Sequence, residues 1–167
     1  MSARRESEDT SMKNITTVER KSERELVVTR TFNAPARIVF EAWTRPELIK
    51  RWWVPKSLDM KLLECEMDVR TGGKYRFVFG PGMEFFGRYL EVIPNSRIVW
   101  TNEEGGENGS VTTVTFEEKD GETLLVMSEL YPSKEALDAA GTGAADATHE
   151  TFTQLDELLV ELCAGQA

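Results

Sequence analysis

The sequence predicts an α+β fold in which one curved antiparallel sheet packs against a long C-terminal helix. Turn-forming residues divide the chain between residues 58 and 131 at spacings typical of β-hairpins. After Pro132 the apolar residues recur every three or four positions, as in an amphipathic helix. At 167 residues the chain fits one domain with a sizeable core. We expect that domain to span residues 24–167.

The first 23 residues differ from the rest of the chain. They carry five basic and five acidic side chains, and they show no apolar pattern. Such a segment cannot bury enough apolar surface to offset its loss of conformational entropy. Residues 1–23 are therefore predicted to form a disordered polar tail.

The domain begins with a strand that leads directly into two short helices. Residues 26–32 (LVVTRTF) are rich in β-branched residues, and Asn33 and Pro35 are suited to capping and starting a helix. A second helix is predicted from Glu47 to about Trp53, because Thr44 to Glu47 reads as a capping box. The two helices are too short to form a core alone, so we expect them to pack on a sheet.

Six further strands are predicted between the turns. They are Leu58–Met67, Tyr75–Phe79, Phe85–Ile93, Arg97–Thr101, Val111–Glu117 and Thr123–Tyr131. Asp120-Gly121 between the last two is a type I′ hairpin signal. With the first strand, the prediction is a seven-stranded sheet that is largely antiparallel, since no region is left for parallel crossovers.

The C-terminal region is predicted to be helical, first briefly over Glu135–Ala140 and then from Gly143 to about Cys163. Phe152, Leu155 and Leu159 share one face of the long helix, and acidic residues lie opposite. One helix covers only part of a seven-stranded sheet. A curved sheet around it is expected to leave an apolar cavity.

The predicted cavity residues come from strand alternation and from the apolar helix face. The proposed ligand-binding residues are Trp53, Tyr75, Phe77, Phe79, Phe85, Tyr89, Glu91, Trp100, Met127, Glu129, Phe152, Leu155 and Leu159. For Trp52, Trp53 and Trp100, core packing alone is one interpretation. The other places the Trp52-Trp53 pair at the entrance of the cavity, since two adjacent helical tryptophans cannot both face one core.

Two carboxylates, Glu91 and Glu129, are expected to point to the same side as the aromatic residues. A buried carboxylate needs a partner or a raised pKa, and Arg30 and Arg76 are the candidate partners. Two interpretations stay open. The carboxylates either brace the sheet through ion pairs, or they hold a ligand headgroup or act as a general acid or base.

Several classes of function are disfavoured by composition. His149 is the only histidine and Cys65 and Cys163 are far apart, so no metal site, cofactor or disulfide framework is expected. The net charge of −9 disfavours nucleic acid and anionic membranes as partners. No apolar run is long enough to span a bilayer, and a cytoplasmic location is expected.

A set of motifs resembles a known family over residues 26 to about 162. They are Arg30–Pro35, Val39–Thr44 followed by Pro46, Trp52-Trp53 with Pro55, Asp68–Phe77, and Gly87–Val92 with Pro94. Together they resemble the activator of heat-shock-protein-90 ATPase (AHSA-type) branch of the START-like or SRPBCC superfamily. The resemblance implies a helix-grip fold with the element order β-α-α-β-β-β-β-β-β-α.

Three functions are compatible with that resemblance, because relatives on this fold differ widely in activity. The favoured one is non-enzymatic binding of a small hydrophobic or amphipathic molecule, by a carrier or sensor. The second is a regulatory protein that contacts a chaperone or another partner, as in the stress response. The third is an enzyme of the cyclase, dehydratase or hydrolase type that uses Glu91 or Glu129 with a tyrosine. No recognisable catalytic set supports this third function.

Overall fold

The computed structural model describes residues 16–58, 62–80, 83–103, 109–140 and 143–165. The strands are β1 Thr17–Arg20, β2 Glu25–Phe32, β3 Glu64–Met67, β4 Lys74–Gly80, β5 Met83–Ile93, β6 Arg97–Thr101, β7 Val111–Lys119 and β8 Glu122–Leu130. The helices are α1 Ala36–Thr44, α2 Pro46–Ile49, α3 Lys134–Ala140 and α4 Gly143–Gly165, with a 3-10 helix at Lys56–Leu58. The α+β class, the antiparallel sheet and the long C-terminal helix are confirmed.

The strands form one sheet in the order β1-β2-β8-β7-β6-β5-β4-β3, and every neighbouring pair is antiparallel. Strand β5 changes partner along its length, pairing with β4 up to Arg88 and with β6 from Tyr89 onwards. Near this change the backbones approach closely, since a Cβ atom on Gly87 would lie 2.0 Å from the Thr101 carbonyl oxygen. Glycine at this position allows the sheet to bend, so that the face towards the helices is concave.

The sheet has eight strands rather than the seven predicted. The additional strand is β1, in a segment that was predicted to belong to the disordered tail. It pairs with β2 in the register Thr17↔Thr29 to Arg20↔Leu26. Just before it, Thr16 is buried and its hydroxyl accepts a hydrogen bond of 2.9 Å from Arg30 Nη1. The tail prediction is wrong for this segment, and residues 1–15 lie outside the described residues.

The two short helices are present, but the predicted caps are wrong. The residue before α1 is Pro35, which has no side-chain group that could cap the helix. The Ala36 N–H, which has no partner within the helix, donates instead to Glu118 Oε1 on β7 at 2.8 Å. Thr44 does not cap α2, because its hydroxyl donates back to the Phe40 carbonyl at 2.8 Å. Helix α2 is also shorter than predicted, ending at Ile49, after which hydrogen-bonded turns continue to Trp53. Strand β3 likewise begins at Glu64 rather than Leu58.

The hairpin between β7 and β8 has the predicted turn. Asp120 and Gly121 have φ angles of 55° and 80°, both in the left-handed region that a type I′ turn requires. The register continues without interruption from Lys119↔Glu122 to Val111↔Leu130. This hairpin packs against α1, where the Phe116 ring lies 5.5 Å from the Phe40 ring.

Helix α4 packs its apolar face on the concave side of the sheet, as predicted. Phe152, Leu155 and Leu159 are all buried, and the Phe152 ring meets the Phe32 ring edge-on at 5.5 Å. Asp156 forms an ion pair with the buried Arg30 of β2. Dispersion contacts and this pair fix the helix against β2.

Replacing Leu155 by Ala should lower the free energy of unfolding by about 2–5 kcal/mol, because the side chain is fully buried between helix and sheet. Val160→Ala is the matched control on the same helix, since Val160 is 70% exposed, and it should cost less than about 0.5 kcal/mol. Urea unfolding followed by circular dichroism measures both. Equal costs for the two variants would contradict this packing.

Removing β1 should destabilise the domain. Truncation before Lys21 removes the β1–β2 pairing and the Thr16 acceptor of Arg30, leaving a buried donor without its partner at a cost of about 1–3 kcal/mol. The control is a chain that starts at Thr16 and so keeps β1. We expect the shorter chain to melt several degrees lower. Identical melting temperatures would show that β1 contributes nothing to stability.

Candidate functional site

A cavity of about 470 Å³ lies between the concave face of the sheet, helices α1 and α4, and the segment after α2. All four tryptophans of the chain line it. The described lining residues are Trp43, Ile49, Trp52, Trp53, Pro55, Met67, Tyr75, Phe77, Phe85, Tyr89, Ile98, Trp100, Asn102, Ser110, Thr112, Met127, Glu129, Tyr131, Thr148, Thr151 and Phe152. The cavity thus has an aromatic wall and a smaller polar end.

Most of the predicted ligand-binding residues lie on this cavity. They are Trp53, Tyr75, Phe77, Phe85, Tyr89, Trp100, Met127, Glu129 and Phe152. Alternation along β4, β6 and β8 brings these side chains to one face, and sheet curvature brings the strands around the helix. Phe85 is 42% exposed, which places it at the rim.

Four of the predicted residues do not line the cavity, namely Phe79, Leu155, Leu159 and Glu91. Phe79 packs against Phe85 with ring centroids 5.2 Å apart, at the edge of the core. Leu155 and Leu159 are buried further along α4, where the helix lies directly on the sheet. Their burial stabilises the fold rather than forming the cavity wall.

The prediction that Glu91 faces the cavity is wrong. The register of β5 against β6 shifts between Tyr89 and Glu91, so that an extra residue is inserted and the alternation changes face. As a result Glu91 is 46% exposed and forms a 2.7 Å ion pair with Arg97. Strand alternation alone could not reveal this bulge.

Trp43 lies at the centre of the aromatic wall. Its ring is 4.8 Å from Trp52, 5.9 Å from Trp53 and 6.0 Å from Trp100. Trp52 is fully buried and its indole N–H donates to the Ala42 carbonyl at 2.9 Å. The buried Trp43 indole N–H has no hydrogen-bond partner among the described residues.

The segment after α2 is fastened to α4 by polar contacts that the sequence analysis missed. Buried Gln154 donates from Nε2 to the carbonyls of Trp52 and Val54, at 3.0 and 2.9 Å, and its Oε1 accepts from the Lys56 N–H at 2.9 Å. Glu150 accepts from the Ser57 N–H at 2.9 Å. Trp52 and Trp53 therefore both face the cavity, although only Trp52 is fully buried.

The polar end of the cavity is formed by neighbouring residues of β6, β7 and β8. Asn102 Nδ2 donates to the hydroxyls of Ser110 and Thr112, both at 3.0 Å. Thr112 lies directly opposite Glu129 in the β7–β8 register. The Tyr131 hydroxyl donates to Glu129 Oε2 at 2.8 Å. Thr148 and Thr151 of α4 complete this end.

Glu129 is the one carboxylate among the described lining residues. Burial raises the pKa of its carboxyl above the ordinary value, and the hydrogen bond from Tyr131 only partly offsets that effect. Burial likewise raises the pKa of the Tyr131 phenol, and the neighbouring carboxylate adds to that shift. Glu129 therefore holds its proton to higher pH than an exposed glutamate.

The two arginines predicted to neutralise the carboxylates have other partners. Arg30 pairs with Asp156 and contacts Thr16, and its Nε is buried without a partner among the described residues. Arg76 is held between Glu64 and Glu84, at 2.7 Å from each. Neither arginine lines the cavity, and none of the lining residues that the structure describes is an arginine.

The described residues contain no group of three or more His, Cys, Asp or Glu side chains arranged to hold a metal ion. No helix within them is long and apolar enough to cross a bilayer. His149 is an exposed residue of α4.

The sequence and the fold were compared with known proteins. The family described as activator of Hsp90 ATPase homolog 1-like protein matches residues 33–160. No curated protein matches the chain. Among solved structures, a Rhodobacter sphaeroides protein is 26% identical with a TM-score of 0.79, covering 88% of this chain and 99% of its own. A Staphylococcus epidermidis protein is 28% identical with a TM-score of 0.70, covering 87% and 94%. A Nitrosomonas europaea protein shares the fold, at 24% identity and a TM-score of 0.75, covering 87% and 99%.

The raised pKa of Glu129 predicts a pH-dependent stability. Below about pH 4 the carboxyl is protonated in both the folded and the unfolded chain. As the pH rises, the unfolded chain releases its proton first, so stability falls until the pH passes the folded-state pKa, by at most about 1.4 kcal/mol per pH unit.

Glu129→Gln should lack this loss, because its amide stays neutral at every pH. The measurement is the difference in unfolding free energy between variant and wild type, from urea titrations between pH 4 and pH 8. The difference should grow with pH in favour of the variant. Glu91→Gln, at an exposed ion pair that solvent screens, is the matched control for removal of a glutamate charge from the same sheet. A flat profile for Glu129→Gln would refute the burial of its charge.

Proposed function

Because this chain belongs to the activator of Hsp90 ATPase homolog 1-like family, within the START-like superfamily, we propose that it works as a carrier or sensor that binds a small amphipathic molecule without transforming it. The observation that supports the proposal is the cavity of about 470 Å³, walled by aromatic side chains and open at a rim that includes Phe85.

The size of the cavity favours binding over a packing defect. Protein cores are close-packed, and voids larger than a water molecule are few. Small-molecule sites usually measure about 300–1,000 Å³, with mostly apolar walls and a few polar groups. The cavity falls in that range, and it lies where the sheet curves away from α4. A ligand with an apolar body would remove this aromatic surface from water.

The polar end supports an amphipathic rather than a purely apolar ligand. Burying polar groups is unfavourable unless they are hydrogen-bonded. Asn102, Thr112 and Glu129 gather on one side of an otherwise apolar cavity. A ligand with one polar head would orient itself with that head at this end and its body along the aromatic wall.

Binding should be visible in the protein's own fluorescence, because all four tryptophans line the cavity. Titration with the neutral apolar dye Nile red should quench tryptophan emission and enhance dye emission. Phe85→Ala removes a rim aromatic and should weaken binding about three- to tenfold.

The matched control is Phe86→Ala. Phe86 is the next residue of β5 and is similarly exposed, at 38%, but it does not line the cavity. Its substitution should leave Nile red affinity within about twofold of the wild type. If Phe85→Ala and Phe86→Ala weaken binding equally, or if the dye does not quench tryptophan, the proposed cavity binding is refuted.

A second candidate is a regulatory contact with an Hsp90-type chaperone, for which the matching family is named. Strand β5 exposes Phe86, Leu90 and Ile93, and large apolar residues at a surface favour protein contacts. This function predicts that purified chaperone binds the chain and that Phe86→Ser with Leu90→Ser abolishes binding, while Phe85→Ala does not. Calorimetric titration distinguishes the two candidates. An enzymatic role for Glu129 with Tyr131 stays an untested alternative.

A further inference from the structure

The described cavity lining has an unbalanced charge. Glu129 is its one carboxylate, and none of the described lining residues is Lys, Arg or His. The other polar side chains at this end include Ser110, Thr112 and Thr148, whose neutral hydroxyls can donate or accept a hydrogen bond. Among the described lining residues, the carboxylate of Glu129 is therefore not offset by a cationic side chain.

One oxygen of Glu129 is available to a ligand. Oε2 accepts the Tyr131 hydroxyl at 2.8 Å, whereas Oε1 has no hydrogen-bond partner among the described residues and the side chain opens onto the cavity. A bound cation favours the ionised form of this buried carboxyl and counteracts the rise in its pKa, so a charged donor is the most strongly stabilising partner for the free oxygen. The amide of Asn102 is already engaged, because Nδ2 donates to oxygens of Ser110 and Thr112 and Oδ1 accepts from the Tyr75 hydroxyl at 3.3 Å.

An aromatic side chain of the cavity wall lies two strands away from this carboxylate in the sheet register. Trp100, Thr112 and Glu129 lie in one row across β6, β7 and β8, and all three line the cavity. Adjacent strands are about 4.8 Å apart, so the backbones of Trp100 and Glu129 are separated by about 10 Å. A small cation between them could contact the carboxylate on one side and the face of an indole on the other.

We propose that the polar end of the cavity recognises a primary amine, so that the ligand is an amphipathic amine with its ammonium on Glu129 and its apolar body along the tryptophan wall. This inference rests on the proposed cavity binding and adds the chemical class of the ligand. An ammonium supplies three donors for the free oxygen of Glu129 and the neutral hydroxyls, and its charge offsets that of the carboxylate. A carboxylate in the same place would face Glu129 with no cation to offset the repulsion.

The experiment compares three twelve-carbon probes that differ only in the head: dodecylamine, dodecanol and dodecanoate, each below its aggregation concentration. Binding is followed by tryptophan quenching at pH 7.5. The amine should bind about 10- to 100-fold more tightly than the carboxylate, as expected for a charge-assisted hydrogen bond, with the alcohol between them. Repeating the series at 0.5 M salt removes attraction from the acidic surface, and the order should persist.

Glu129→Gln should reduce the amine-to-alcohol affinity ratio to near one, while alcohol binding changes little. Glu91→Gln is the matched control at a surface ion pair and should keep the wild-type ratio. Tyr131→Phe keeps the carboxylate and should keep the amine preference. Equal binding of all three probes by the wild type would overturn the amine assignment and leave the cavity function intact. Failure of every probe to bind would overturn both.

Discussion

The packing of one helix on a much wider sheet determines the rest of this structure. Eight strands at about 4.8 Å spacing span roughly 34 Å, whereas a helix with its side chains is about 10–12 Å across. Helix α4 packs against β2 through the Phe32–Phe152 contact and the Arg30–Asp156 ion pair. Further along, the sheet curves away from α4, and the gap is closed by α1 and the Trp52-Trp53 segment. The space that remains between them is the cavity.

The features that local patterns encode were predictable. Turn residues located the strands, and Asp120-Gly121 adopts the backbone that its type I′ signal requires. The helical repeat of α4 identified its buried face, and alternation along β4, β6 and β8 identified most of the cavity wall. These signals act between residues close in sequence, so each can be read without knowing the fold.

The features that were missed depend on partners far apart in the chain. Strand β1 has the mostly polar sequence TVER and pairs with β2 at the edge of the described sheet. Its sequence therefore contains no apolar repeat from which a strand could be predicted. The N-terminus of α1 is satisfied by Glu118, about 80 residues away. The bulge that turns Glu91 outward exists only relative to β6. Gln154 looked like an ordinary polar helix residue, yet it anchors the segment that carries two cavity tryptophans.

Binding of a small molecule in the space between the sheet and α4 is tested most directly by an NMR titration with dodecylamine. The titration follows the four tryptophan indole N–H signals together with the backbone amides. Several indole signals should shift in a saturable way, that of the buried Trp43 among them, together with the amides around Glu129. Shifts confined to the exposed β5 residues Phe86, Leu90 and Ile93, with unchanged indole signals, would contradict it.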